Sequence, residues 1–96
     1  MLVLKPENRF ALEDYILIQA LPEADMYFAF NVKTGDHFKL NNTAHWVLDR
    51  IGVGVRLDEL TADFSEEYGL ERQSALKDVN EVIIYAIDNH IVKEVL

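Results

Sequence analysis

Three histidines are the first candidates for chemistry in this sequence, and their placement argues against it. His37, His45 and His90 lie far apart, in different predicted elements. None has a second histidine or a carboxylate at the spacing of a shared helix face, such as H-E-x-x-H. His45 is expected on a helix surface beside Trp46. The carboxylates Asp63, Glu66, Glu67 and Glu71 are dense enough to raise calcium, but they do not follow the EF-hand order D-x-[DN]-x-[DN]-G. They read as the solvated face of a helix and its exit. Gly52-Val53-Gly54 lacks the third glycine of a dinucleotide fingerprint, and it follows a helix where that fingerprint needs a strand. No serine stands in a nucleophile elbow. Hydrolysis by paired carboxylates needs a substrate cleft that a chain of 96 residues would struggle to enclose. Cysteine is absent, which removes thiolate metal sites, iron–sulfur ligation, disulfides and cysteine nucleophiles together. The expectation is a protein that is not an enzyme and holds no metal or cofactor.

Binding remains, and charge narrows its kind. The net charge is −8, from 17 acidic and 9 basic residues, and the basic residues are scattered singly. Duplex DNA is a polyanion whose readers cluster Lys and Arg, so nucleic acid is an unfavoured partner. Met1 to Phe10 carries Lys5, Glu7 and Arg9 and has no apolar core of signal-peptide length. No window approaches the ~20 apolar residues of a membrane span. The reading is one soluble, cytoplasmic domain over residues 1–96, since half the residues are hydrophobic and can supply a core.

The elements that must position a binding surface divide near Asn41. Tyr15 to Leu21 is an apolar run closed by Pro22 and reads as a strand, with Glu13 and Asp14 only as candidates for its start. Met26 to Val32 is aromatic and fits a strand buried on much of both faces. Lys33-Thr34-Gly35-Asp36 is a turn, and His37 to Leu40 returns as the second arm of a hairpin, with Phe38 and Leu40 on one face and His37 and Lys39 on the other. Asn41-Asn42-Thr43 can cap a helix that carries Ala44, Val47, Leu48 and Ile51 at helical spacing and ends at Gly52-Val53-Gly54. A second helix runs from Leu57 to Tyr68, on a stripe of Leu57, Leu60, Phe64 and Tyr68, and stops at Gly69; Arg56 is a poor cap for it. A third spans Arg72 to Asn89, with Ala75, Leu76, Val79, Val82, Ile83, Ala86 and Ile87 on one arc and Ile84 on a flank near Asn80 and Lys77. Three strands followed by three helices make an α+β domain. Residues 1–14 have no assigned structure.

The order and spacing of several pieces then resemble one family. They are Leu40-Asn41-Asn42-Thr43-Ala44, a short helix with Val47-Leu48, a glycine turn, Leu57-Asp58-Glu59-Leu60 in a helix ending at Tyr68-Gly69, and Asp78, Val79, Val82 and Ile83 in the last helix. Together, over about Met26 to Val95, they are similar to the PqqD family. The family often has Asp-Gly after the first helix, where this chain reads Arg50-Ile51-Gly52-Val53-Gly54.

The resemblance implies a winged-helix-like fold with a three-stranded antiparallel sheet and three helices. It implies a protein that binds the leader segment of a ribosomally synthesised precursor peptide and presents it to a modifying enzyme. In pyrroloquinoline quinone synthesis that enzyme is of the radical S-adenosylmethionine type. It places the leader as an added strand along Asp36, His37, Phe38, Lys39 and Leu40, against Lys77, Asn80, Ile83, Ile84 and Ile87 of the third helix. A winged-helix transcription regulator is the rival from another class. A structural subunit, homodimeric through the same strand edge, is a third reading.

Overall fold

The hairpin is built by alternation. In the computed structural model, which describes residues 4–52 and 54–95, four strands precede the first α-helix: β1 (Arg9–Leu12), β2 (Ile16–Leu21), β3 (Met26–Asn31) and β4 (His37–Leu40), with one 3-10 turn at Pro22–Ala24 between β2 and β3. β2, β3 and β4 form an antiparallel sheet in that order, with Ile18 opposite Ala29 and Ala29 opposite Phe38. Ile16, Ala29 and Leu40 face the core and are buried. The opposite face is open, so β3 is covered on one side only: Leu17, Leu21 and Val32 are about half exposed, and Phe28 and Phe30 are half-buried. The turn holds because the Asn31 side chain accepts from the Lys33 and Thr34 amides, at 2.9 and 3.2 Å, and Gly35 takes φ +82°.

Helices α1 (Asn42–Ile51), α2 (Leu57–Tyr68) and α3 (Arg72–Asp88) follow. Asn41 caps α1, its Oδ1 accepting from the Ala44 amide at 2.8 Å. Val47, Leu48, Ile51, Leu60, Phe64, Val79 and Ile83 are shut from solvent and form the centre of the core. Of the apolar positions expected inside, Leu76 and Tyr68 are exposed, although the Tyr68 ring packs on Phe64 at a 40° tilt, with centroids 4.6 Å apart.

The expected division into strands and then helices needs one correction. A second sheet, ordered β5-β1-β6, joins β1 to β5 (Val55–Arg56) and to β6 (Val92–Val95). The N-terminal segment therefore bridges the α1–α2 junction and the chain's far end. It also resolves the poor cap of α2. The Leu57 and Asp58 amides donate to the carbonyls of Asn8 and Pro6, at 2.8 and 2.9 Å, and the Asp58 side chain accepts from the Glu59 amide at 2.8 Å. The orphan donors of a helix start are satisfied without a capping side chain at Arg56. Val53, within the expected glycine turn, lies outside the described residues.

Candidate functional site

β4 is an edge strand, and its hydrogen-bond register decides which backbone groups it leaves open. The Asn31 amide donates to the Asp36 carbonyl at 2.8 Å, so that pair sits at a bonded position. Alternation in an antiparallel ladder then bonds Phe38 to Ala29 and Leu40 to Tyr27, and turns the N–H and C=O groups of His37 and Lys39 outward. Tyr15 and Val32 bond on the other side of β3, at 3.0 Å, which agrees with this phase.

Beside that edge lies a groove of about 460 Å³ between the β4–α1 junction and α3. Lys39, Leu40, Asn41, Thr43 and Ala44 line one side, and Asp78, Glu81, Val82 and Tyr85 line the other. Leu40, Ala44 and Val82 pack on the core and make the floor apolar. Phe38 meets Tyr85 edge-on with ring centroids 6.5 Å apart, which aligns the start of β4 with the C-terminal half of the groove wall.

The residues expected to bind are only partly brought together. Lys39 and Leu40 line the groove and Phe38 touches its wall through Tyr85. His37 lies on the open sheet face, its ring 6.2 Å from Phe30 and 6.4 Å from Phe28. Asp36 belongs to the turn, accepting from the Thr34 hydroxyl at 2.9 Å. On α3, Ile83 is fully buried. Lys77, Asn80, Ile84 and Ile87 are absent from the groove lining, because at 100° per residue they stand about 140–160° around the helix from Val82. Asp78, Val82 and Tyr85, spaced i, i+4, i+7, share the groove face, and that spacing was the available signal for them. His45, expected on the helix surface, is half-buried and stacks on Tyr27, with ring centroids 4.1 Å apart.

Among the described residues no group of three or more His, Cys, Asp or Glu gathers closely enough to hold a metal ion. No helix among them is long and apolar enough to cross a membrane.

The family model for coenzyme PQQ synthesis protein D (PqqD) matches residues 27–92, more than half of the chain. The chain belongs to the PqqD family. No curated protein matches it. Two solved structures share the fold of this PqqD-family chain. One is a lasso peptide synthetase B1 complexed with the leader peptide; it is 20% identical, with a TM-score of 0.74 over 88% of this chain and 96% of that one. The other is TbiB1 in complex with the TbiA(β) leader peptide; it is 15% identical, with a TM-score of 0.71 over 86% of this chain and 94% of that one.

Proposed function

We infer that this PqqD-family chain binds the leader segment of a ribosomally made precursor peptide and presents it to a modifying enzyme. The leader adds as a strand to the outer edge of β4, with its inward side chains in the groove against Asp78, Glu81, Val82 and Tyr85. One observation carries this reading: the open N–H and C=O groups of His37 and Lys39 border a groove with an apolar floor. Strand addition takes affinity from the backbone and selectivity from pockets for alternate side chains. The two structural neighbours, solved with leader peptides, support the same use of this fold. Chemistry belongs to the enzyme, and this chain contributes an accessory binding role. The groove wall of α3 bears Asp78 and Glu81, which disfavours DNA against that helix.

Calorimetric titration with the synthetic leader of a ribosomally made precursor peptide tests the reading. Lys39→Pro removes one outward N–H and leaves the inward ladder intact, since proline is tolerated where an edge strand faces solvent. It should weaken binding by about 0.5–1.5 kcal/mol, the net worth of one hydrogen bond. Tyr85→Ala should cost about 1–3 kcal/mol if the ring is covered in the complex. Unchanged affinity in both variants would move the peptide elsewhere.

A further inference from the structure

The groove is charged unevenly along its length. Its wall is aromatic at the Tyr85 end and acidic at the Asp78–Glu81 end. Asp78 and Glu81 are both exposed, and among the described residues neither has an ion-pair partner. Three residues apart on one helix, their Cβ atoms lie about 5–6 Å from each other, so the two carboxylates repel. Lys39 borders the groove on β4, but it alternates with Phe38 and Leu40, stands on the sheet face of Phe28, and makes no ion pair with either carboxylate. Lys77 stands one turn before Glu81 on α3, yet among the described residues no cation of the chain is ion-paired to either groove carboxylate.

Resting on the strand-addition reading, we propose that the occupant carries Lys or Arg two residues away from an apolar side chain, and that Asp78 and Glu81 select it. The spacing follows from two rises. Glu81 to Tyr85 advances about 6 Å along α3 at 1.5 Å per residue. Residues i and i+2 of a strand point the same way and stand about 6.6–6.8 Å apart. A strand whose apolar side chain rests on Val82 and Tyr85 therefore presents its next inward side chain to Glu81 and Asp78. A cation there relieves the carboxylate repulsion; a carboxylate there would add to it. Strand direction sets only whether the basic residue comes before or after the apolar one.

A display library of random 12-residue peptides, panned against the full chain, reads this directly. The retained sequences should be enriched in Lys or Arg at a spacing of two from an aromatic or aliphatic residue. A fluorescein-labelled synthetic peptide of the retained sequence is then made with Lys, Gln or Glu at the selected position. The wild type should prefer Lys over Glu by about tenfold at low salt, a preference that shrinks in 0.5 M salt as exposed charges are screened. In the double variant D78N/E81Q that preference should fall to about twofold or less. Retained peptides without basic enrichment, or a Lys preference that survives D78N/E81Q, overturn the proposal and leave strand addition standing. If no peptide is retained, or if binding is unaffected by Lys39→Pro, strand addition itself fails and the proposal falls with it.

Discussion

Asn80 carries a buried side-chain carbonyl oxygen with no hydrogen-bond partner. A buried polar group left unpaired costs about 1–3 kcal/mol. Asn80→Leu, similar in volume, should raise stability by about 1 kcal/mol in denaturant titration and leave peptide affinity unchanged, because position 80 lies across the helix from the groove. Weaker peptide binding in this variant would return Asn80 to the site. Ile84 makes the converse test. It is half-buried on the same far flank, so Ile84→Asp should lower the melting temperature while calorimetry of the folded variant finds leader affinity unchanged. The contrast with Tyr85→Ala, one residue away, separates the two faces of α3.

At the scale of elements, the exit from α3 stores a correctable cost. His90 takes φ +60°, its amide bonds the Ile87 carbonyl at 3.1 Å, and the Ile91 amide bonds Ala86 at 2.8 Å. These are the two bonds of a Schellman ending, with His90 where glycine is favoured. A side chain in the left-handed region costs about 1–2 kcal/mol. His90→Gly should therefore stabilise, by about 1 kcal/mol after the extra entropy that glycine loses on folding, read as a higher melting temperature. The start of α2 has its own chemistry. The Arg56 guanidinium makes two hydrogen bonds to the Asp58 carboxylate, at 3.1 and 2.8 Å. Those bonds hold the Asp58 carboxyl below its ordinary value of 3.8. A lowered folded-state value gives stability that is present above 3.8 and is lost as the pH falls through it toward the lowered value. Asp58→Asn should thus melt below the wild type at neutral pH, and the two melting curves should converge as the medium becomes acidic. A gap that persists in acid would assign the difference to packing.

At the scale of the whole molecule, the first residues tie three distant parts of the chain. β1 pairs with β5 and β6, Pro6 and Asn8 accept from the start of α2, and Lys93 lies 3.8 Å from both Glu13 and Asp14. The ion pairs are partly exposed and contribute little. The backbone bonds matter more, because their loss leaves helix donors to water and opens Leu57 beneath them. Deleting residues 1–8 should lower stability by about 2–4 kcal/mol, from two lost backbone bonds and newly exposed apolar surface. The far-ultraviolet signal of the helices should be kept at low temperature, with a lower denaturant midpoint. An unchanged midpoint would make the segment an appendage.

Whatever depends on neighbours in sequence was legible in the residues alone. The hairpin of Met26–Asn31 and His37–Leu40 follows from alternation and a turn at Gly35, and α1, α2 and α3 follow from apolar residues at helical spacing with Asn41 and Gly69 at their ends. Family membership was legible too, because those local pieces occur in a particular order. Two features were settled only in three dimensions. Arg9–Leu12 is too short to declare a partner, and its pairing with Val92–Val95 spans nearly the whole chain, so no local pattern signals it. The groove face of α3 was hidden for another reason. Both flanks of its core arc carry apolar residues, Val82 and Tyr85 on one side and Ile84 and Ile87 on the other, and periodicity assigns them to faces without saying what each face meets. The packing of α3 beside the β4 edge chose the first flank, because Phe38 and Tyr85 meet there.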